Sequence, residues 1–378
     1  MTLTIVDYLS DTLGERFGGS REEVEAAEFL KEKMEEIGLE VEVQRFNFMG
    51  WRLTRGPTLK VLEPEERDLN PGLMFFSANT PSGGITGTLE RVGTMYVVEG
   101  MFEWPKYAIV GDDGSPLGYV VAFFDGPAIS LPNPRILWGR APHVLVGKDD
   151  HDALKRWMDD GKKVVVNFDI AGEFLPDQSS QNVIGTLRGE SLPEEEIVVC
   201  AHYDSAYGSP GADDNASGVE SMLRAAEKLA AKGTKKSVKF LAFGAEEYGL
   251  FGSRYYVEDL KERGELGRVK AVINLDMTGA GDTLTLASEP RAFDRMVREA
   301  VERSSLAEGL KLEALKLAED SDHWPFYVNG IPVTFLFFWP YDYYHQPTDT
   351  AEKVEEPIVE RTAEAVYLLA EMLAYPSS

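Results

Sequence analysis

The sequence predicts an α/β protein with a mostly parallel central sheet flanked by helices, interrupted by an inserted β-rich domain. Three observations carry that expectation. From about residue 181 onward, apolar runs alternate with amphipathic stretches, the pattern of strands joined by crossover helices. Residues 56–175 break instead into short β-like runs punctuated by Gly and Pro, as in Thr80-Pro81-Ser82-Gly83-Gly84 and Leu131-Pro132-Asn133-Pro134. Ahead of them stands a helix signal: Ser20 and Glu23 form a capping box, and Val24, Ala27, Leu30, Met34 and Ile37 recur at helical spacing until Gly38.

Each later element has its own signal. A strand is expected in residues 39–46, and the end of the insertion, residues 143–170, reads as strand, helix, strand. The second half then reads as EEIVVCAHYD, a helix from Ser217, VKFLAFGAEE, a helix from Leu250, and KAVINLDM. Strands at Thr283–Ser288 and in PVTFLFF follow, with a closing helix from about Glu355 to Leu373. The expected organisation is residues 1–55 as the opening of a catalytic domain, 56–175 as the insertion, and 176–378 as the rest of the catalytic domain.

Composition narrows the function. The 64 Asp plus Glu against 38 Lys plus Arg give a formal charge of -26, which repels phosphate backbones and anionic membranes, so neither nucleic acid nor membrane is an expected partner. The amino terminus lacks a basic and apolar leader pattern, and no run approaches the roughly 20 apolar residues that span a bilayer, so the expected location is cytoplasmic. The lone Cys200 sits within an apolar run, where a buried structural thiol is expected.

In an open α/β sheet the ligand crevice lies at the carboxyl ends of the strands. His202 and Asp204 end one expected strand, Glu246 and Glu247 a second, and Asp276 a third; Asp214 lies in a Gly-rich connection before a helix, and His345 in the loop after PVTFLFF. A single such residue is ordinarily solvated or capping. Seven of them at one sheet edge, in a chain with 5 histidines, point to a cation, and imidazoles mixed with carboxylates suit zinc, manganese or cobalt. The turn Thr278–Asp282 has the look of an anion-binding loop, but the helix such a loop must open is replaced by the strand pattern from Thr283. No P-loop, HExxH or G-x-S-x-G motif is present.

The segments His202-Tyr203-Asp204, Gly211 to Gly218, Glu246 to Ser253, Asn274-Leu275-Asp276 and Ser321-Asp322-His323 resemble the zinc aminopeptidase family that also holds glutamate carboxypeptidase, glutaminyl cyclases and the transferrin receptor ectodomain. The resemblance covers roughly residues 181–378 and implies a zinc-exopeptidase-like fold. It implies one metal on His202 and Asp276, a second on Glu247 and His345, and Asp214 bridging two Zn2+, with Co2+ or Mn2+ as substitutes. Glu246 would be the general base toward a water shared by the two metals. Asp204 and Asp349 would hold the ligand histidines, and Tyr344 would donate to the oxyanion or else simply pack in its aromatic cluster. A cis peptide at Asp214-Asn215 is also implied. Two departures stand out: Gln346 follows the last histidine where the family has Ser or Thr, and the insertion resembles a protease-associated domain clearly only near its end. His323, His143 and His151 read as packed or surface histidines.

The resulting expectation is a co-catalytic zinc aminopeptidase acting on peptides with a free amino terminus. A glutaminyl cyclase and a non-catalytic receptor-like protein on the same scaffold stay open as alternatives, as do carboxypeptidase specificity and a homo-oligomeric state.

Overall fold

The computed structural model describes residues 4–97, 102–123 and 125–375. The chain divides into two compact units, Met1–Phe48 with Ser179–Ser378, and Met49–Gln178. Among the described residues no helix is long and apolar enough to cross a membrane.

In the first unit, short helical segments at Thr4–Val6 and Asp7–Leu13 precede helix α1 (Arg21–Ile37), where the Ser20 hydroxyl accepts the Glu23 N–H and Gly38 closes the helix at φ 92°. Only half of the expected capping box forms. The Glu23 carboxylate turns away from the Ser20 backbone and accepts from Gly19 N–H, the Ser180 hydroxyl and Ala245 N–H instead.

Its sheet uses the end of β1 (Val165–Leu187), followed by β2 (Leu192–His202), β3 (Lys236–Phe243), β4 (Val269–Leu275), β5 (Thr283–Glu289), β6 (Lys311–Ala314) and β7 (Val333–Trp339). In space the order is β6-β5-β7-β4-β2-β3-β1. The pairs β2/β3, β2/β4, β4/β7 and β5/β6 are parallel, whereas β5/β7 and β1/β3 are antiparallel. Helices α2 (Gly218–Lys232), α3 (Phe251–Glu262), α4 (Arg291–Arg303) and α5 (Glu356–Ala374) supply the flanks.

Because successive strand residues face opposite sides, Ile197, Val199 and Ala201 of β2 join the core that includes α2 and α5, while Val198 and Cys200 join the opposite core with Tyr256, Val257 and Phe326. Burial on both faces is why these strands read as near-continuous apolar runs. Cys200 is fully buried there and its thiol donates to Asn274 Oδ1 at 3.3 Å. Helices α2 and α5 are laced together by Arg224, which meets Glu356 and Glu360 at 3.0 and 2.9 Å, and by Lys228, which meets Glu360 and Glu364 at 2.9 and 2.8 Å.

The second unit is β-rich. Strands Ile85–Val97, Phe102–Val110 and Pro116–Ala122 form an antiparallel meander, with His143–Val146 parallel to the last of them, and the helix Lys148–Asp159 follows. Both of its histidines are packed: His143 stacks on Tyr119 and His151 sits 2.8 Å from the Tyr107 hydroxyl.

Candidate metal centre

Four parallel strands, β2, β3, β4 and β7, bring their carboxyl ends to one edge, and the predicted side chains follow them there. His202 is the last residue of β2, Glu246 and Glu247 lie just beyond β3, Asp276 follows β4 directly, and His345 lies in the loop after β7. Asp214 comes from the segment before α2, held by the neighbouring Asn215. The Asn215 side chain donates to Leu275 O at 2.9 Å and accepts from Gly218 and Met277 N–H, both at 3.1 Å. The Asp214-Asn215 peptide is cis, as the sequence resemblance implies. Asn215 is fully buried, so the Asn215-Ala216-Ser217 sequence, a match to a glycosylation acceptor, is inaccessible.

The geometry centres on Asp214. Its Oδ1 lies 3.2 Å from His202 Nε2 and its Oδ2 lies 3.1 Å from His345 Nε2, so one carboxylate faces two imidazoles with different oxygens. Asp276 Oδ1 stands 3.3 Å from the first imidazole, and Glu247 Oε2 stands 3.3 Å from the second. Two donor sets result, His202/Asp214/Asp276 and Asp214/Glu247/His345, with ligand atoms within 4.8 Å of one another in each set. Glu246 joins His202 and Glu247 in a third set at the same range, which places its carboxylate against the same cluster. All six side chains are buried.

The donor chemistry fits a cation on three counts. Imidazole nitrogens and carboxylate oxygens are the set zinc takes. Glu247 Oε1 is buried without a hydrogen-bond partner. Burial, reinforced by neighbouring carboxylates, pushes Glu246 and Glu247 well above the usual carboxylate range and raises Asp276 as well, against the pull of His202. Burial alone would raise Asp214 too, but His202 and His345 outweigh it and its pKa is lowered. His202 shows the converse: burial would lower it, yet Asp276, Glu246, Asp204 and Asp214 hold it well above an ordinary imidazole. The cluster is organised around positive charge.

The supporting carboxylates hold backbone N–H groups, a role that the sequence did not imply. Asp204, fully buried, accepts Glu246 N–H at 3.1 Å on one oxygen and Glu247 N–H at 3.2 Å on the other. His202 Nδ1 lies 3.2 Å from the Asp204 carbonyl and 3.5 Å from its carboxylate. Asp349 accepts Asp213 N–H at 2.8 Å, Asp214 N–H at 3.2 Å and the Tyr341 hydroxyl at 2.7 Å, which fixes the segment that carries Asp214. Tyr344 stacks on the His345 ring at 3.8 Å and meets Trp339 edge-on, and burial with the surrounding carboxylates holds its hydroxyl well above the ordinary phenol range.

His323 is outside the donor sets. It is fully buried and stacked on Phe335 at 4.8 Å, a packed position, one of the two non-ligand roles, packing or substrate-side, that the sequence left open. The turn at Thr278 also proves structural: Thr278 N–H reaches the Ser217 hydroxyl, Gly279 N–H reaches Asp213 Oδ1, and Thr283 begins a strand. Sequence reasoning missed Ser321 as the donor to Asp276 Oδ2 at 2.8 Å, Asn274 behind it at 2.8 Å, and Arg16 and Glu23 from the amino-terminal segment. Ser321 and Asn274 had signals in the Ser-Asp-His and Asn-Leu-Asp segments. Arg16 and Glu23 had none, because their partners lie far away in sequence.

A mostly parallel α/β sheet with paired imidazole–carboxylate sets at its carboxyl edge is the architecture of a zinc-exopeptidase-like protein. Residues 182–370 match Peptidase family M28, and the chain belongs to that family. It is 29% identical over 386 residues to aminopeptidase YwaD of Bacillus subtilis (strain 168), covering 96% of this chain and 82% of YwaD. Among solved structures it resembles an aminopeptidase from Aneurinibacillus sp. strain AM-1, with a TM-score of 0.75 at 25% identity over 99% of this chain and 93% of that one. It also resembles BSAP, a zinc aminopeptidase from Bacillus subtilis, with a TM-score of 0.72 at 25% identity, covering 97% of this chain and 93% of that one.

Proposed function

We propose that this chain is a zinc-dependent aminopeptidase that releases amino-terminal residues from peptides, with Glu246 as general base. The observation that carries the reading is Asp214, whose two oxygens face separate imidazoles, each backed by one further carboxylate, with Glu246 against the same cluster. His202 and Asp276 would hold one zinc ion, Glu247 and His345 the other, and Asp214 would bridge them; Co2+ or Mn2+ would substitute. Bound there, the ions would supply Lewis-acid charge that lowers the pKa of water and stabilises a developing oxyanion.

The side chains do the rest. Glu246 takes a proton from the attacking water and returns it to the departing amine. Asp204 aims that carboxylate by fixing the N–H groups of both glutamates. Tyr344, held protonated, is a hydroxyl donor for the oxyanion of the scissile carbonyl. The unit Met49–Gln178 is read as a protease-associated-like insertion. The aminopeptidase relatives support the choice of reaction.

A substrate panel tests it: aminoacyl-anilides, free-amine peptides, their amino-acetylated counterparts and glutaminyl peptides, all assayed with zinc present. Release of the first residue from free-amine substrates alone is the expected result. Pyroglutamate formation without hydrolysis would make the chain a cyclase. Trimming of acetylated peptides from the carboxyl end would make it a carboxypeptidase, and no turnover with no retained metal would make it a receptor-like scaffold.

A further inference from the structure

Arg16 is fully buried, and among the described residues its guanidinium hydrogen-bonds backbone carbonyls and no carboxylate. A buried guanidinium is costly unless its donors are satisfied, and here they converge on backbone carbonyls. Nε donates to Tyr203 O at 2.9 Å, and Nη2 to Gly211 O at 3.0 Å. Nη1 donates to Leu9 O at 2.8 Å, to Gly14 O at 2.9 Å and to Pro210 O. Tyr203 and Gly211 are the two ends of the loop that joins His202 to the segment of Asp214. The fork therefore spans the base of that loop.

The rest of the loop is stapled to the same residue. Arg16 N–H donates to the Ser205 hydroxyl at 2.9 Å, that hydroxyl donates to Ser209 O at 2.9 Å, and Gly211 N–H reaches the Ser209 hydroxyl at 3.2 Å. Gly211 sits at φ 63°, and a Cβ there would lie 2.5 Å from Asp214 O and 3.0 Å from Arg16 Nη2. The close approach of guanidinium, glycine and Asp214 backbone is thus built in. Asp204, Asp349, Asp214 and Glu247 act on Arg16 through space; they only partly offset burial, which brings its pKa down to about 10.

We propose that Arg16 is a positioning residue that pins the Tyr203–Gly211 loop, so that His202 and Asp214 are already spaced for a cation before one binds. The inference rests on the two-metal reading of the site. A lysine in its place keeps the charge but offers a single nitrogen where the guanidinium reaches both ends of the loop. Residues that orient metal ligands from behind commonly change metal affinity by about 10–100-fold when altered.

The test compares wild-type protein, Arg16→Lys and Ser205→Ala by amide hydrogen exchange of the metal-free chains, zinc affinity by chelator competition, and kcat and KM across zinc concentrations. The expected result for Arg16→Lys is faster exchange confined to residues 203–214 and to the segment 9–16 that shares its guanidinium, with zinc binding weakened about tenfold or more. Its kcat should return to near the wild-type value at saturating zinc, with KM little changed. Ser205→Ala, the milder variant, should shift both readouts in the same direction by less. Unchanged local exchange and unchanged zinc affinity in Arg16→Lys would overturn the proposal, as would a uniform loss of stability with neither readout altered locally. If wild-type protein bound no zinc, the two-metal reading would fail, while the exchange data would still decide whether Arg16 pins the loop.

Discussion

Asn215 offers the sharpest test of how the site is assembled. Its side chain joins the segment of Asp214 to the end of β4, where Asp276 follows. It makes three hydrogen bonds, to Leu275 O at 2.9 Å and from Gly218 and Met277 N–H at 3.1 Å, all in fully buried surroundings. Asn215→Ala removes the three together and takes this partner from Met277 N–H and Leu275 O, while Gly218 N–H keeps the backbone carbonyl of residue 215. At about 1–3 kcal/mol for each of these two buried groups, the expected loss is roughly 2–6 kcal/mol in the metal-free protein. That is a large part of the 5–15 kcal/mol typical of a folded domain. Urea unfolding followed by circular dichroism measures it, and zinc affinity measured alongside should fall, because Asp214 and Asp276 lose their common brace. Asn215→Asp keeps the acceptor for Gly218 and Met277 but turns an oxygen on Leu275 O, so it should also destabilise. A loss below about 1 kcal/mol for Asn215→Ala, with zinc affinity intact, would refute this reasoning.

Two further outcomes follow from regions away from the metal cluster. Arg224→Met should destabilise by about 2 kcal/mol, because the buried Glu220 Oε1 loses its charged donor, while Glu356 and Glu360 are partly exposed and Glu360 keeps Lys228; the midpoint of thermal unfolding reports it. In the second unit, burial holds His143 at about 4, helped by Lys106 and opposed by the Ala141 carbonyl, against an ordinary value of 6.5. Between those values the unfolded chain binds a proton that the folded unit refuses. This unit therefore loses stability as pH falls from 6.5 toward 4, by up to about 3 kcal/mol, and the loss levels off below that. His143→Phe, which keeps the stack on Tyr119, should flatten the dependence of the unfolding midpoint on pH across that window; an unchanged slope would contradict the assignment.

Much of the site was legible in the sequence for a physical reason. Parallel strands buried on both faces appear as unbroken apolar runs, and the first polar residue past each run falls at the sheet edge where ligands gather. His202, Asp276 and the Glu246-Glu247 pair were readable in that way, while Asp214 and His345 had to be drawn from loops, where a family resemblance supplied what periodicity does not. The braces were not legible. Arg16 binds carbonyls 187 and 195 positions away and Glu23 accepts an N–H 222 positions away. Backbone groups carry no sequence identity, so nothing in the pattern names such a partner. The capping box shows the same limit: Ser20 and Glu23 correctly mark a helix start, yet the fold redirects the Glu23 carboxylate to the turn before Glu246.

As the proposed general base, Glu246 acts beside bound metal without being needed to hold it. The most direct measurement is zinc content and peptide hydrolysis in Glu246→Gln beside wild-type protein. The account predicts near two zinc ions per chain in both and a loss of activity of at least about a hundredfold in the variant, the scale of a missing general base. Loss of metal together with activity would make Glu246 a ligand, and full activity with metal retained would remove it from the reaction.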